Sequence, residues 1–305
     1  MEKGDITPAV VARLVAEQFP QWAGLPVERV AVDGWDNTTF RLGDALSVRL
    51  PSTDAYVAQV HKEHRWLPIL ARHLPLPIPE PVAMGQPGGG FSRPWSIYRW
   101  IEGSPASPDR VADLTVFAAD LAGFLAALST VDASGGPPPG WHNFFRGGPL
   151  ATYDGQSRRS IGLLAEEIDA RAATEVWEAA LASVWEQSPV WVHGDVTPSN
   201  LLVGDGHLRA VIDFGCAGVG DPACDLVMAW TFFTGESQDE FRRGLPFDDA
   251  TWARGRGWAL WKALITIVGE HGGGEDARAA ARRYGWRHSP PEVIDLVLAD
   301  HDRSI

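Results

Sequence analysis

The chain has 305 residues, 45% hydrophobic and 21% charged, with 39 Asp and Glu against 26 Lys and Arg for a net charge of −13. That length exceeds one comfortable core, so two domains are expected, and the composition is that of a globular chain rather than a disordered one. The acidic balance disfavours nucleic acid and anionic membrane as partners, and no apolar run is long enough to cross a bilayer.

The first residues lack a signal peptide's basic start and continuous apolar stretch, so a cytoplasmic location is expected. They read as an amphipathic helix capped by Thr7, with Pro8 in its first turn. "RVAVDGWDNTTFRLG" and "ALSVRLP" have strand composition, separated by Gly and Asp. "YVAQVHKEHRWLPILARHL" has helical spacing through Val57, Val60, His64, Leu67 and Leu70. "PEPVAMGQPGGGFSRPWSIYRWIEG" reads as two strands around a Gly/Pro turn. The expected N-terminal domain, residues 1–103, is therefore a small antiparallel sheet with one prominent helix.

Residues 104–305 read as mainly helical. Apolar residues at 111, 114, 117, 121, 124, 125 and 128 form one stripe, "GGPPPGW" breaks the chain as an exposed loop, and a helix pair follows around 158–187. "VWVHGD" then precedes "NLLVGDGHLRAVIDFG", in which Gly204-Asp205-Gly206 turns a hairpin between apolar strands. Helices fill the remainder. The fold class is α+β, and a β-rich lobe joined to a larger α lobe implies a cleft for ligands. Charge divides unevenly: residues 1–103 hold 10 Lys and Arg against 11 Asp and Glu, and residues 104–305 hold the remaining 16 and 28. Such a second half would attract a cationic small molecule. Cys216 and Cys224 match no zinc spacing and are expected as buried thiols.

The chemistry gathers in "VHGDVTPSN" and, thirteen residues past Asn200, in "VIDFG". Asn200 immediately precedes one strand of the expected hairpin and Asp213 follows the other, so their side chains can converge. A carboxamide oxygen with a carboxylate suits Mg²⁺, which keeps waters and takes phosphate oxygens. Asp195, on the loop before Asn200, can accept the proton of an attacking hydroxyl.

Asp195-x-x-x-x-Asn200 followed by Asp213-Phe214-Gly215 resembles the catalytic loop and metal motif of the protein-kinase-like fold. With "HGD" in place of "HRD", and with "GDPACDL" just after, the set is similar to the aminoglycoside phosphotransferase family, which includes macrolide, choline and homoserine kinases. The resemblance implies a two-lobed kinase-like fold. It implies Asp195 as catalytic base or hydroxyl-orienting group, and Asn200 and Asp213 as Mg²⁺ ligands on the phosphates of ATP or GTP. His193 would be structural. Asp225 would accept hydrogen bonds from the catalytic-loop backbone, and Asp221 would cap the following helix.

On the nucleotide side, Arg49 stands where the family carries a lysine, with Glu63 as its expected partner. Lys62, adjacent to Glu63, is expected to face elsewhere. "DGWDNTTFRLG" would cover the phosphates, with one glycine, Gly34, and with Asn37 and Thr38 as polar contacts. "SIYRWIEG" fits the linker, where backbone groups of Arg99, Trp100 and Ile101 would meet the base. The resemblance places an acceptor pocket in the C-terminal third. Trp230, Trp252, Trp258 and Trp261 fall there, and Glu166, Glu167, Asp169 and Glu270 are acids on helices that could line it. Its occupant would be a cationic hydroxyl compound of the aminoglycoside type. The alternatives are a macrolide or metabolic kinase, or a catalytically silent nucleotide-binding protein.

Overall fold

The structure, a computed structural model, describes residues 3–30, 36–269, 281–282 and 284–304. The chain divides into two compact units: one runs to Glu102 and takes back Val211–Cys216, and the other comprises Gly103–Ala210 and the chain from Ala217 onward.

The first unit opens with α1 (Pro8–Gln18), where Thr7 Oγ1 accepts from the Val10 amide at 3.4 Å and proline sits at the first helical position. Strands β1 (Val27–Arg29), β2 (Asn37–Leu42) and β3 (Leu46–Pro51) follow. After α2 (Val57–Leu70) come β4 (Pro81–Gly85) and β5 (Trp95–Arg99), completing an antiparallel sheet of order β1-β2-β3-β5-β4. Phe40, Val48, Leu50, Trp95 and Ile97 of the sheet bury against Val11, Leu14 and Val15 of α1. Each such side chain contributes roughly 1.5–3 kcal/mol of burial free energy. The buried row of α2 differs from the expected apolar stripe. It contains Gln59, Val60, Glu63, Leu67 and Leu70, while His64 is only half-buried. A polar cluster beneath the helix, described below, draws Glu63 inward in place of His64.

The second unit begins with β6 (Ser104–Pro105) and α3 (Leu114–Thr130). Asp113 caps α3 by accepting from the Thr115 and Val116 amides, so the helix starts after Val111 and that end of the expected stripe lies outside it. The expected helix pair is α4 (Asp154–Leu163) and α5 (Ala170–Leu181), which begins a few residues before the expected 158 and ends before the expected 187. β7 (Val190–Val192) leads to the hairpin of β8 (Leu201–Gly204) and β9 (His207–Val211). Asp205 and Gly206 turn it with φ of 52° and 81°, the left-handed pair that a two-residue hairpin needs. β10 (Gly218–Gly220) pairs with β7. Then come α6 (Met228–Thr231), α7 (Glu236–Arg243), α8 (Asp249–Ile267) and α9 (Pro290–Asp302).

α8 is buried along almost its whole length, which marks a central helix rather than a surface one. Three cations on it are nonetheless buried: Arg254, Arg256 and Lys262. Each meets an acid, Asp221 at 2.6 Å, Asp300 at 3.1 Å and Asp195 at 3.0 Å. Buried charges persist only when so paired.

Candidate active site

In the second unit the loop after β7 carries His193, Asp195 and Asn200. Gly194 adopts φ 82°, a left-handed turn that a side chain would resist. Asp225 accepts from the amides of both His193 and Gly194 at 2.7 Å, tying the loop as the sequence suggested. His193 is fully buried, and its Nδ1 accepts from the Asp195 amide at 3.2 Å, a structural role. Asp221 accepts from the Ala223 amide at 3.1 Å, the expected cap, and also receives the Arg254 guanidinium.

Two contacts set the Asp195 carboxylate. Lys262 Nζ donates to Oδ1 at 3.0 Å, and Asn200 Nδ2 lies 3.3 Å from Oδ2 while donating to the Asp195 carbonyl at 2.9 Å. Burial opposes the charge, but Lys262 and then Arg146 outweigh it and hold the carboxyl below its ordinary range. With its nitrogen committed, the Asn200 amide has an oxygen that no donor among the described residues reaches.

In the first unit Asp213 follows β9 with φ 66°, a left-handed conformation that Asp tolerates better than most residues. Arg49, on β3, donates to Asp213 Oδ1 at 2.8 Å and lies 3.5 Å from Glu63. Glu63 is buried on α2 and accepts the Tyr98 hydroxyl. Burial works against the Arg49 charge, yet Asp213 and Glu63 outweigh it and raise the guanidinium's already high pKa. Burial also pushes the Glu63 carboxyl upward. Lys62 is not turned away as its place beside Glu63 suggested: Nζ donates to the Gly215 carbonyl at 2.7 Å, and burial pushes its pKa down to about 8. Adjacent helical positions lie about 100° apart, a little over a quarter of a turn, and a four-carbon stem spans that gap.

The other expected residues scatter. Asn37 and Thr38 are buried where β2 begins, Thr38 with a hydroxyl that has no partner among the described residues, and Gly34 lies outside those residues. Of the three residues expected to meet the base, the amides of Arg99 and Trp100 are spent on the carbonyls of Glu80 and Ala45, whereas that of Ile101 meets no backbone carbonyl among the described residues. Trp230, Trp252, Trp258 and Trp261 are all buried, packed edge to face as the pairs Trp230–Trp252 and Trp258–Trp261. Glu166, Glu167 and Asp169 are exposed, Asp169 serving as the cap of α5, and Glu270 lies outside the described residues. Cys224 is buried but Cys216 only half-buried, and neither is in a disulfide.

Lys262 and Arg146 escaped the sequence reading. The one signal for Lys262 was a single lysine inside the apolar run "LWKALIT". Among the described residues no group of three His, Cys, Asp or Glu gathers as a metal cage. An amide oxygen such as that of Asn200 and a carboxylate such as that of Asp213 are each of the ligand type Mg²⁺ takes, and that ion needs few protein ligands when waters and phosphates supply the rest.

Both units match solved structures of kinase-like phosphotransferases. The GDP complex of an aminoglycoside 2'-phosphotransferase-IIIa superposes with a TM-score of 0.69 at 17% identity, covering 97% of this chain and 100% of that one. The ternary complex of APH(2")-IIa with streptomycin and ATP gives 0.62 at 18%, covering 95% and 99%. The macrolide 2'-phosphotransferase MphH from Brachybacterium faecium gives 0.58 at 23%, covering 91% and 97%. The fold is thus the α+β kinase-like fold of the aminoglycoside and macrolide phosphotransferases. The Phosphotransferase enzyme family (APH) matches residues 27–258, about three quarters of the chain, and the chain belongs to that family. No curated protein sequence is significantly similar to it. Among the described residues no helix is long and apolar enough to cross a membrane.

Proposed function

We propose that this protein transfers the γ-phosphoryl group of a nucleoside triphosphate to a hydroxyl of a small molecule. The observation that carries the reading is the Asp195 carboxylate, held by Lys262 at 3.0 Å on a loop whose backbone is bound by Asp225. In this reading the acceptor oxygen forms a bond to the γ-phosphorus as the bond to the β–γ bridging oxygen breaks, and the hydroxyl proton passes to Asp195. A carboxyl held below its ordinary range is a weak base. Asp195 therefore orients the hydroxyl first and takes the proton late, as a loose transition state allows. Asn200 and Asp213 would hold Mg²⁺, which when bound neutralises phosphate charge. Arg49, braced by Glu63, steadies the phosphates, and the Ile101 amide, which meets no backbone carbonyl among the described residues, is a linker group available to the base. The residues up to the linker, 1–103, would carry the nucleotide, and residues 104–305 the acceptor.

Relatives of this fold are complexes with GDP or with ATP and streptomycin, which supports a nucleotide donor without choosing between ATP and GTP. The acidic balance of residues 104–305 supports an amine-bearing acceptor of the aminoglycoside type in a cytoplasmic enzyme. The test supplies γ-labelled ATP and GTP with Mg²⁺ to the purified protein and offers aminoglycosides, macrolides, choline and homoserine. Label should move to one of these classes. Asp195→Ala should cut that turnover by about 10²–10⁴-fold while keeping nucleotide affinity. Undiminished turnover in the variant would falsify the role of Asp195. Nucleotide binding without transfer to any acceptor would favour a silent nucleotide-binding protein.

A further inference from the structure

Residues 140–148 of the second unit form a loop held in a conformation its sequence resists. Phe144 and Phe145 are both left-handed, with φ of 51° and 54°, where bulky side chains rarely sit. The loop is tied at many points. Buried Asn143 accepts from the Gly140 amide at 2.9 Å and donates to the Arg146 carbonyl at 3.0 Å. The Phe145 amide reaches the Gly140 carbonyl, the Asp221 amide reaches the Gly147 carbonyl, and the Tyr153 hydroxyl donates to the Phe144 carbonyl. Strain that surrounding structure maintains in this way is concentrated at functional positions.

What the loop presents is Arg146. Its guanidinium lies over the rings of Tyr153, Trp258 and Trp261 at 5.9, 5.2 and 4.6 Å. Trp258, Trp261 and Lys262 share one face of α8 by their spacing, and Lys262 in turn holds Asp195. Seven other arginines among the described residues lie over aromatic rings; Arg29 and Arg65 are exposed to water, and Arg41, Arg49, Arg93, Arg242 and Arg254 are at least partly buried. Each of those five also reaches a carboxylate: Glu102, Asp213, Asp54, Asp249 and Asp221 respectively. The Arg146 guanidinium makes no hydrogen bond or ion pair among the described residues, attracting the Asp195 carboxylate only from beyond contact distance, and its Nη1 is buried without a partner. A guanidinium nitrogen so placed is costly unless a ligand satisfies it, and the fork geometry matches an oxyanion.

We propose that Arg146 is the oxyanion-binding residue of the site containing Asp195, taking phosphate or carboxylate oxygens on its free edge. The proposal rests on the reading of Asp195 given above. Two sources share this chemistry: the phosphoryl group in transfer, or an acidic group on the acceptor.

The experiment titrates inorganic phosphate into wild type, Arg146→Met and Arg146→Lys, each with and without Mg²⁺ and a nucleoside diphosphate, by calorimetry. Arg242→Met, an aromatic-stacked arginine with its own acid partners, is the control. Arg146→Met should weaken phosphate by about tenfold or more, Arg146→Lys by less, and Arg242→Met not at all. A loss confined to the nucleotide-bound protein identifies the phosphoryl group, and an equal loss in both states identifies an acidic acceptor. Melting curves establish that each variant folds, and Arg146→Lys carries the test if Arg146→Met does not fold. Phosphate binding that is absent in wild type, or equal in wild type and a folded Arg146 variant, overturns the proposal. Nucleotide affinity in the same titrations is judged separately, so wild type that binds Mg-nucleotide while phosphate fails sinks this inference and leaves the kinase reading standing.

Discussion

Lys262 shows how one residue gains meaning from its surroundings. In sequence it is a lysine among apolar neighbours; in the fold it is buried and shares a hydrogen bond with Asp195. Lys262→Met removes the donor and leaves the carboxylate to find another rotamer. Turnover should fall by about 10²-fold, because misplacing a reacting group by an ångström costs that much. KM for the nucleotide should stay near its wild-type value, and Lys262→Arg should recover part of the loss. Steady-state kinetics of the three proteins check this, and a change in nucleotide KM with unchanged kcat would contradict it. Asp195, Asn200 and Asp213 stand out in the sequence because their spacing is local. Lys262 does not, since 67 residues separate it from Asp195.

At the scale of elements, α2 illustrates the limit of periodicity. Its spacing announced a helix, and a helix forms, but the pattern chose His64 for the interior where the fold buries Glu63. Apolar spacing reports average burial, whereas Arg49 and Tyr98 offer Glu63 a specific partner set. The same helix delivers Lys62 to the Gly215 carbonyl, which has a measurable consequence. Its pKa of about 8 lies below the ordinary lysine value of 10.5, so the unfolded chain binds more protons between the two. The burial cost is then fully present below about pH 8 and is relieved as pH rises toward 10.5, giving stability that increases across that window. Lys62→Met should flatten the increase. Melting temperatures of wild type and variant at about pH 7 and about pH 9.5 should converge at the higher value. A gap that stays constant would show that Lys62 titrates normally.

For the whole molecule, the sequence division at residue 103 sits beside a structural division at Glu102, but the structure also assigns Val211–Cys216 to the first unit. The segment carrying Asp213 is therefore sequence of the second half that folds with the first. If Asn200 and Asp213 both serve one Mg²⁺, metal and nucleotide together should stabilise the entire chain. Mg-nucleotide at about a hundred times its Kd should add about 2.7 kcal/mol to unfolding, and EDTA should abolish most of it. Thermal or denaturant melts with nucleotide, with and without EDTA, test this. Stabilisation that survives chelation would remove the metal role from both residues.

What the sequence determined alone was local: the helix start at Thr7, the left-handed turn at Asp205-Gly206, and the spacing of Asp195, Asn200 and Asp213 that names the family. These follow from caps, turn chemistry and short-range spacing, each readable within a dozen or so residues. Tertiary structure alone decided which charges leave water and with whom: Arg49 with Asp213 and Glu63, Lys262 with Asp195, Arg254 with Asp221, and Arg146 on three rings with no ion pair among the described residues. A charge leaves water only where a distant partner or a ring face compensates it, and local pattern holds no record of which partner that will be.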